Sequence, residues 1–208
     1  VIVCRQKMEG EKVGAFSFWS GDRPFIYLAS DRESAARARF DAAHELGHLC
    51  LHKWIGEDEI EDRDRLKEIE QEADRFAGAF LLPNKSFPNE VFSSRAEGFW
   101  KVSIQAMTYR CKDLGVFDDR QTTNIYKQIS YKKWRTIEPL DGENGLPIEE
   151  PVVLSKLTDL LLDSGKVSAA DVALEAGPSP ETLSQILGTD RLRVGLEAQA
   201  ETPDFFLK

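Results

Sequence analysis

Nowhere in the 208 residues does an apolar run approach the ~20 residues that a membrane-crossing helix needs; the most apolar stretch, Phe76 to Leu82, is far too short. Positive charge is also in short supply, with 27 Lys and Arg against 36 Asp and Glu and a formal charge of -9. That balance argues against sequence-independent nucleic-acid binding, which runs on clustered Lys and Arg. It argues equally against docking on anionic lipid. Cysteine is scarce: Cys4, Cys50 and Cys111 are odd in number, scattered and unlike any zinc-knuckle spacing. They read as reduced thiols packed as small hydrophobes in a cytoplasmic protein. The chain opens Val-Ile-Val-Cys, without an initiator Met or a basic-then-apolar leader, and so reads as a fragment cut at an upstream boundary.

What is present is enough for a folded protein. With 41% hydrophobic and 10% aromatic residues, the chain can build a core, and its length allows one large domain or two small ones. The first thirty residues read as strands: Val13 to Phe18 and Phe25 to Leu28 flank a turn-rich Ser20-Gly21-Asp22-Arg23-Pro24, with Val1 to Cys4 as a third strand. From Arg32 the alanine and leucine pattern becomes helical, with Asp31 or Ser34 as its cap. A charged stretch at 57–65 precedes a second helix over Leu66 to Leu82, stopped by Pro83. Helices follow around Ser103 to Leu114 and Gln121 to Tyr131. Glu138-Pro139 through Glu150-Pro151 is rich in Gly, Pro and acid and reads as a linker before about three short helices. The expected organisation is an α+β core at 1–85, a helical extension at 86–136, a linker at 137–151 and a small helical domain at 152–208.

Histidine is the rarest chemistry-bearing residue, and its distribution is informative. His44, His48 and His52 are the only three, all on one expected helix. The first two frame His44-Glu45-Leu46-Gly47-His48, an H-E-x-x-H pattern. Residues four apart on a helix project about 40° from one another, one turn up, so both imidazoles can reach one metal. Glu45 lies beside that pair, where it can take a proton from a metal-bound water. A catalytic zinc needs a third protein ligand. The metzincin spacing fails, because His52 comes four residues after His48 with no intervening glycine. In the second helix, Glu70 and Asp74 share a face: a Glu can bind the metal while an Asp one turn on accepts the N–H of a ligating His. Glu72 lies ~200° from Glu70 around the helix, so the two cannot both face the metal. Cys50, ~240° from His44, points away from the metal and is expected in the core. His52 offers either a charge at the helix C-terminus, the favoured reading, or a substrate or oxyanion contact.

These residues resemble a known family. His44-Glu-Leu-Gly-His48-Leu-Cys-Leu-His52, followed by Glu70-Gln-Glu-Ala-Asp-Arg-Phe-Ala-Gly-Ala-Phe-Leu-Leu-Pro83, is similar to the ImmA/IrrE metallopeptidases, gluzincin-like proteins that act on phage-type or stress-response repressors. The likeness continues through Trp100 to Arg110 and Leu114-Gly115, and ends at Trp134-Arg135 and Glu138-Pro139. The family's Leu-Met-Pro ending is Leu81-Leu82-Pro83 here. The resemblance implies an α+β zincin core, His44, His48 and Glu70 as zinc ligands, and Glu45 as catalytic base. It also implies one zinc per chain, with manganese as the alternative metal, and a narrow protein substrate such as a DNA-binding repressor or antitoxin. Members often carry an upstream helix-turn-helix domain. The rival reading is a regulator whose zincin fold binds a partner or ligand without hydrolysis; an intact Glu45 counts against it.

Two other features bear on partners. Tyr126-Lys127-Gln-Ile-Ser-Tyr131-Lys132-Lys133-Trp134-Arg135 interleaves aromatics with basic residues, as stacking on nucleic acid would require. An amphipathic helix end with Ile129 and Trp134 turned inward explains the same residues and is the favoured reading. Val167 to Gly188 has the outline of a helix-turn-helix, yet no Lys or Arg lies between Lys166 and Arg191. Without phosphate contacts a DNA reader is disfavoured. The expectation is no direct nucleic-acid binding, and a helical hairpin used for packing or partner recognition.

Overall fold

The computed structural model describes residues 1–6, 14–30, 34–93, 96–142, 145–176 and 179–192. Among them are three strands and ten helices: β1 (Ile2–Gln6), β2 (Ala15–Ser20), β3 (Arg23–Ala29), α1 (Ala35–Leu51), α2 (Glu57–Glu61), α3 (Arg63–Leu81), α4 (Phe87–Glu90), α5 (Ala96–Trp100), α6 (Ile104–Asp113), α7 (Asp119–Tyr131), α8 (Val153–Asp163), α9 (Ala169–Ala176) and α10 (Pro180–Leu187). The fold class is α+β, as the sequence implies. The chain divides into two compact units, one of Val1 and Lys7–Glu149, the other of Ile2–Gln6 and Glu150–Lys208.

In the first unit, β2 and β3 form an antiparallel hairpin, from Ala15 opposite Leu28 to Ser20 opposite Arg23. Gly21 makes the tight turn possible, with a φ of 60° that a side chain would oppose. Alternation along the hairpin sorts its two faces. Phe16, Phe18, Phe25 and Tyr27 form an aromatic ladder, with Phe16 and Tyr27 stacked at 5.1 Å and Phe18 and Phe25 at 5.2 Å. Ser17, Ile26 and Leu28 belong to the other set, of which Ile26 and Leu28 are buried.

Helix α1 begins where the Ser34 hydroxyl accepts the Arg37 N–H; Asp31, the other candidate cap, lies outside the described residues. Helix α3 is capped by Asp62, which accepts from the backbone of Asp64 and Arg65. The two helices pack through small residues. Ala43, Ala73, Ala77 and Gly78 are all buried, and Gly47 lets the backbones approach. A Cβ at Gly47 would lie 3.2 Å from the Ala73 Cα and 3.1 Å from the Phe76 ring.

Beyond Pro83 the chain forms the main apolar cluster, in which Leu82, Phe87, Val102, Met107 and Cys111 are buried with Phe40 and Trp100 against them. Full burial of a side chain such as Phe87 or Leu82 contributes about 1.5–3 kcal/mol. Buried Arg110 ties this cluster to α3, donating from Nε to the Leu82 carbonyl at 3.1 Å. Ile129 is buried as expected, and the Trp134 N–H returns to its carbonyl. In the 137–151 stretch, Glu138 is only 3% exposed. It faces Arg37 at 3.6 Å and accepts from the Ile104 N–H. Burial pushes the Glu138 carboxyl above its usual range, against the pull of that N–H and of Arg37.

The second unit holds β1 and α8 to α10 around Ala169, Leu183 and Leu192. Gly188, with a φ of 67°, closes α10 in the left-handed conformation. The Gln6 side chain meets Gln185, and Arg5 faces Glu150 at 3.5 Å. No helix among the described residues is long and apolar enough to cross a membrane.

Cys4 and Cys111 are buried thiols, but Cys50 is exposed. This corrects its expected place in the core: the face of α1 that turns away from the metal-ligating pattern is, at this last turn, a solvent face.

The contact at Gly47 is specific enough to test. Gly47→Val should overpack the α1–α3 seam and destabilise by about 1–3 kcal/mol, read as a lower urea midpoint with an unchanged slope. A midpoint equal to wild type would show that the seam has room to spare.

Candidate metal centre

Three acceptor groups converge where α1 passes α3. His44 Nε2 and His48 Nε2, one turn apart on α1, are 2.9 Å from each other. From α3, Glu70 Oε2 stands 3.3 Å from His44 Nε2, and Glu70 Oε1 3.5 Å from His48 Nε2. These three residues form the group among the described residues that could hold a metal ion. The donor chemistry fits. A tetrahedral zinc with bonds near 2.0–2.1 Å sets its ligand atoms about 3.3 Å apart, close to the observed separations. Two imidazoles and a carboxylate that aim lone pairs at one point repel one another unless a cation or a proton sits between them.

Each of the two imidazoles has a partner at its other ring nitrogen. Asp74 Oδ1 accepts from His44 Nδ1 at 2.8 Å, which leaves the Nε2 lone pair facing Glu70 and His48. This is the partnership that the Glu70/Asp74 spacing implies. Glu72 is turned elsewhere, to His52 Nε2 at 3.1 Å. His52 is the C-cap residue of α1, its backbone N–H bonded to the His48 carbonyl. Its side chain is 7% exposed, with Nδ1 2.9 Å from His48 Nδ1. Both ring nitrogens of His52 thus have a partner.

The charges are unevenly shared between the imidazoles. Burial works to lower His44, but the hydrogen bond and charge of Asp74, with Glu70 and Glu45, outweigh it and raise the imidazole above its ordinary value. His48 is lowered by burial and by the neighbouring His44 and His52. The two imidazoles, 2.9 Å apart at Nε2, are thus shifted in opposite directions.

Glu45 follows a different set of contacts. The Ser17 hydroxyl, on β2, donates to Glu45 Oε2 at 2.7 Å. Burial raises the Glu45 carboxyl above its usual range, while the Ser17 hydrogen bond and the charge of His44 work against that rise. Sequence reasoning passes over Ser17. The available signal is a small hydroxyl set between Phe16 and Phe18, whose rings stack on the other face.

Beside Asp74 opens a cavity of about 350 Å³, walled by Phe40, Tyr109 and Tyr126 with Arg37, Arg135 and Glu138 among its polar groups. This puts a side-chain-sized space against the residue that holds His44.

Residues 1–112, more than half of the chain, match the family model of a peptidase domain described as the IrrE N-terminal-like domain. No curated protein matches the chain.

The Ser17 contact makes a measurable statement about Glu45. Ser17→Ala removes an influence that lowers the carboxyl pKa, so Glu45 should bind its proton up to higher pH. Carbon NMR of the Glu45 carboxyl in metal-free protein should place the titration midpoint above wild type. A midpoint unchanged or lower would mean that the hydroxyl does not hold the carboxylate.

Proposed function

The chain belongs to the IrrE N-terminal-like family of peptidases, and we propose that it is a zinc-dependent endopeptidase that cuts a specific protein substrate in the cytoplasm. The observation that carries this reading is the convergence of His44, His48 and Glu70 on α1 and α3, with Glu45 on the same helix held by Ser17. In this reading the first three are the metal ligands and Glu45 is the catalytic base. Manganese is the alternative ion for the same donor set.

A bound zinc supplies positive charge that polarises a peptide carbonyl and acidifies water. The protein's own residues then divide the work. Glu45 accepts a proton from the attacking water and delivers it to the leaving amine. Its position suits that exchange: burial raises the carboxyl above its usual range, while the Ser17 hydrogen bond and His44 work against that rise. Asp74 keeps the His44 Nδ1 proton engaged and the Nε2 lone pair aimed inward. A large substrate side chain next to the cut bond enters the cavity between Phe40, Tyr109 and Tyr126.

The family resemblance supports a substrate that is a DNA-binding repressor or an antitoxin, cleaved to release phage, mobile-element or stress-response genes. The α8–α10 unit carries no Lys or Arg between Lys166 and Arg191, which suits a partner contact better than a DNA contact.

Purified protein should hold about one zinc-class ion per chain, lost on His44→Ala or His48→Ala. Glu70→Gln should weaken retention strongly and Glu72→Gln hardly at all, while Asp74→Asn should cost about 10–100-fold in affinity. Equal losses at positions 70 and 72 would overturn the ligand assignment.

The decisive variant is Glu45→Gln. It keeps size and polarity but removes the proton acceptor. Metal content, fold and partner affinity should survive, while cleavage of repressors encoded beside this gene should fall by about 10²–10⁴-fold or more. Binding of such a repressor without cleavage by the wild-type protein would favour a partner-binding module instead.

A further inference from the structure

We propose that His52 and Glu72 form a hydrogen-bonded relay that fixes His48 in the tautomer able to ligate a metal. This makes His52 a positioning residue. The inference rests on the reading of His48 as a ligand, but its central claim concerns hydrogen atoms that can be observed without any metal.

The argument follows from the donors available. A neutral imidazole has one N–H and one bare nitrogen. His48 Nδ1 and His52 Nδ1 are 2.9 Å apart, so one of them carries the hydrogen and the other accepts it. Suppose His52 were the donor. Its Nε2 would then be bare and would face Glu72 Oε2 at 3.1 Å, lone pair against carboxylate. His48 would carry its hydrogen on Nε2, where Glu70 and His44 converge, and could not ligate there. With the roles reversed, both outer contacts are satisfied: His52 Nε2–H donates to Glu72, His52 Nδ1 accepts from His48 Nδ1–H, and His48 Nε2 is left bare 2.9 Å from His44 Nε2, where a hydrogen or a cation can sit between them. The ionised carboxylate can only accept, so Glu72 sets the direction of the whole chain.

The two ligands on α1 are therefore served by α3 in different ways. Asp74 holds His44 directly, whereas Glu72 reaches His48 only through one more ring. The surroundings suit this order. The intermediate ring is 7% exposed, so water competes poorly for its nitrogens, while Glu72 at 47% keeps its charge hydrated. The His52 backbone is tied to the helix end by its own N–H to His48, and its ring lies 5.0 Å from that of His48. Sequence position explains why His52 is available: it stands one turn beyond His48 on the same face of α1.

The test has two independent arms. Nitrogen-15 NMR of the metal-free full chain should show His48 protonated on Nδ1 and His52 on Nε2. In His52→Phe, which keeps a ring but offers no acceptor, His48 should lose that preference. The second arm titrates zinc(II) against a chromophoric chelator. His52→Phe should weaken zinc binding by about 10–100-fold, and His52→Gln, whose amide can accept from His48 and donate to Glu72, should recover most of the loss. Wild-type His48 protonated on Nε2 would overturn the relay. So would zinc binding by His52→Phe within threefold of wild type, or a His52→Gln variant as weak as His52→Phe. If His52→Phe fails to fold, the surface variant Glu72→Ala takes its place and should shift the His48 tautomer in the same direction; no shift would overturn the proposal. Wild-type protein that shows the expected tautomers yet binds no zinc would instead defeat the metal reading and leave the relay standing.

Discussion

Everything at the candidate centre depends on how closely α1 can approach α3. The distance is set at Gly47, where a Cβ would press on the Ala73 backbone. It is held by the zero exposure of Ala73 and Ala77. Carboxylate side chains are short. Glu70 and Asp74 reach the imidazoles at 3.3 Å and 2.8 Å only because the helix axes are brought together by residues without bulk. The glycine inside the H-E-x-x-H sequence is thus a packing residue first, and it costs about 1 kcal/mol of helix propensity relative to alanine. That cost is accepted in a helix that tertiary packing, rather than propensity, holds in place.

The same approach creates an electrostatic problem that the outer contacts organise. Lone pairs of two rings and a carboxylate meet at one point, and each ring is kept in that orientation from behind. Asp74 raises the basicity of His44, while His48 is lowered by burial and by its two imidazole neighbours, against the pull of Glu70. Glu45 feels the charge of this network but takes its hydrogen bond from β2, through Ser17. The hairpin therefore has a task beyond its aromatic ladder: its inward face delivers a hydroxyl to the carboxylate that the proposed reaction uses.

Helical periodicity made the centre legible, because a helix fixes angular relations between residues near in sequence. His44, His48, Glu70 and Asp74 were readable as two pairs one turn apart, and the structure brings the pairs together. What periodicity cannot supply is which residue of one element meets which of another. Ser17 is invisible for that reason, since nothing in a strand announces that its hydroxyl will meet Glu45 twenty-eight residues on. Angular separation correctly sets Glu72 apart from Glu70 but does not say that it finds His52. The same limit applies to Glu138, in a stretch that reads as a linker: it is buried facing Arg37, 101 residues earlier (138 minus 37), where no local pattern could point to it. Short elements were missed for another reason. Helices α4 and α5 each complete little more than one turn, too few residues for a period to emerge.

The contact of Asp74 with His44 also shows why a metal and a proton compete so directly here. In the metal-free protein the raised pKa of His44 means that its protonated form is favoured by folding. The stability this contributes is fully present below the ordinary histidine value and is lost as pH rises through the higher value of the folded state. A cation held by Nε2 requires the opposite: that nitrogen must give up its proton. One carboxylate therefore strengthens both occupants, the proton at low pH and a metal at higher pH, because each draws on the same electron density at Nε2. On the proposed assignment, loss of Asp74 weakens both, whereas loss of Glu70 removes a ligand from the one and only a nearby charge from the other. The distinction between a residue that binds and a residue that orients thus lies in which competitor is affected, and in the proposed reading those two roles fall to Glu70 and Asp74, a single turn apart on α3.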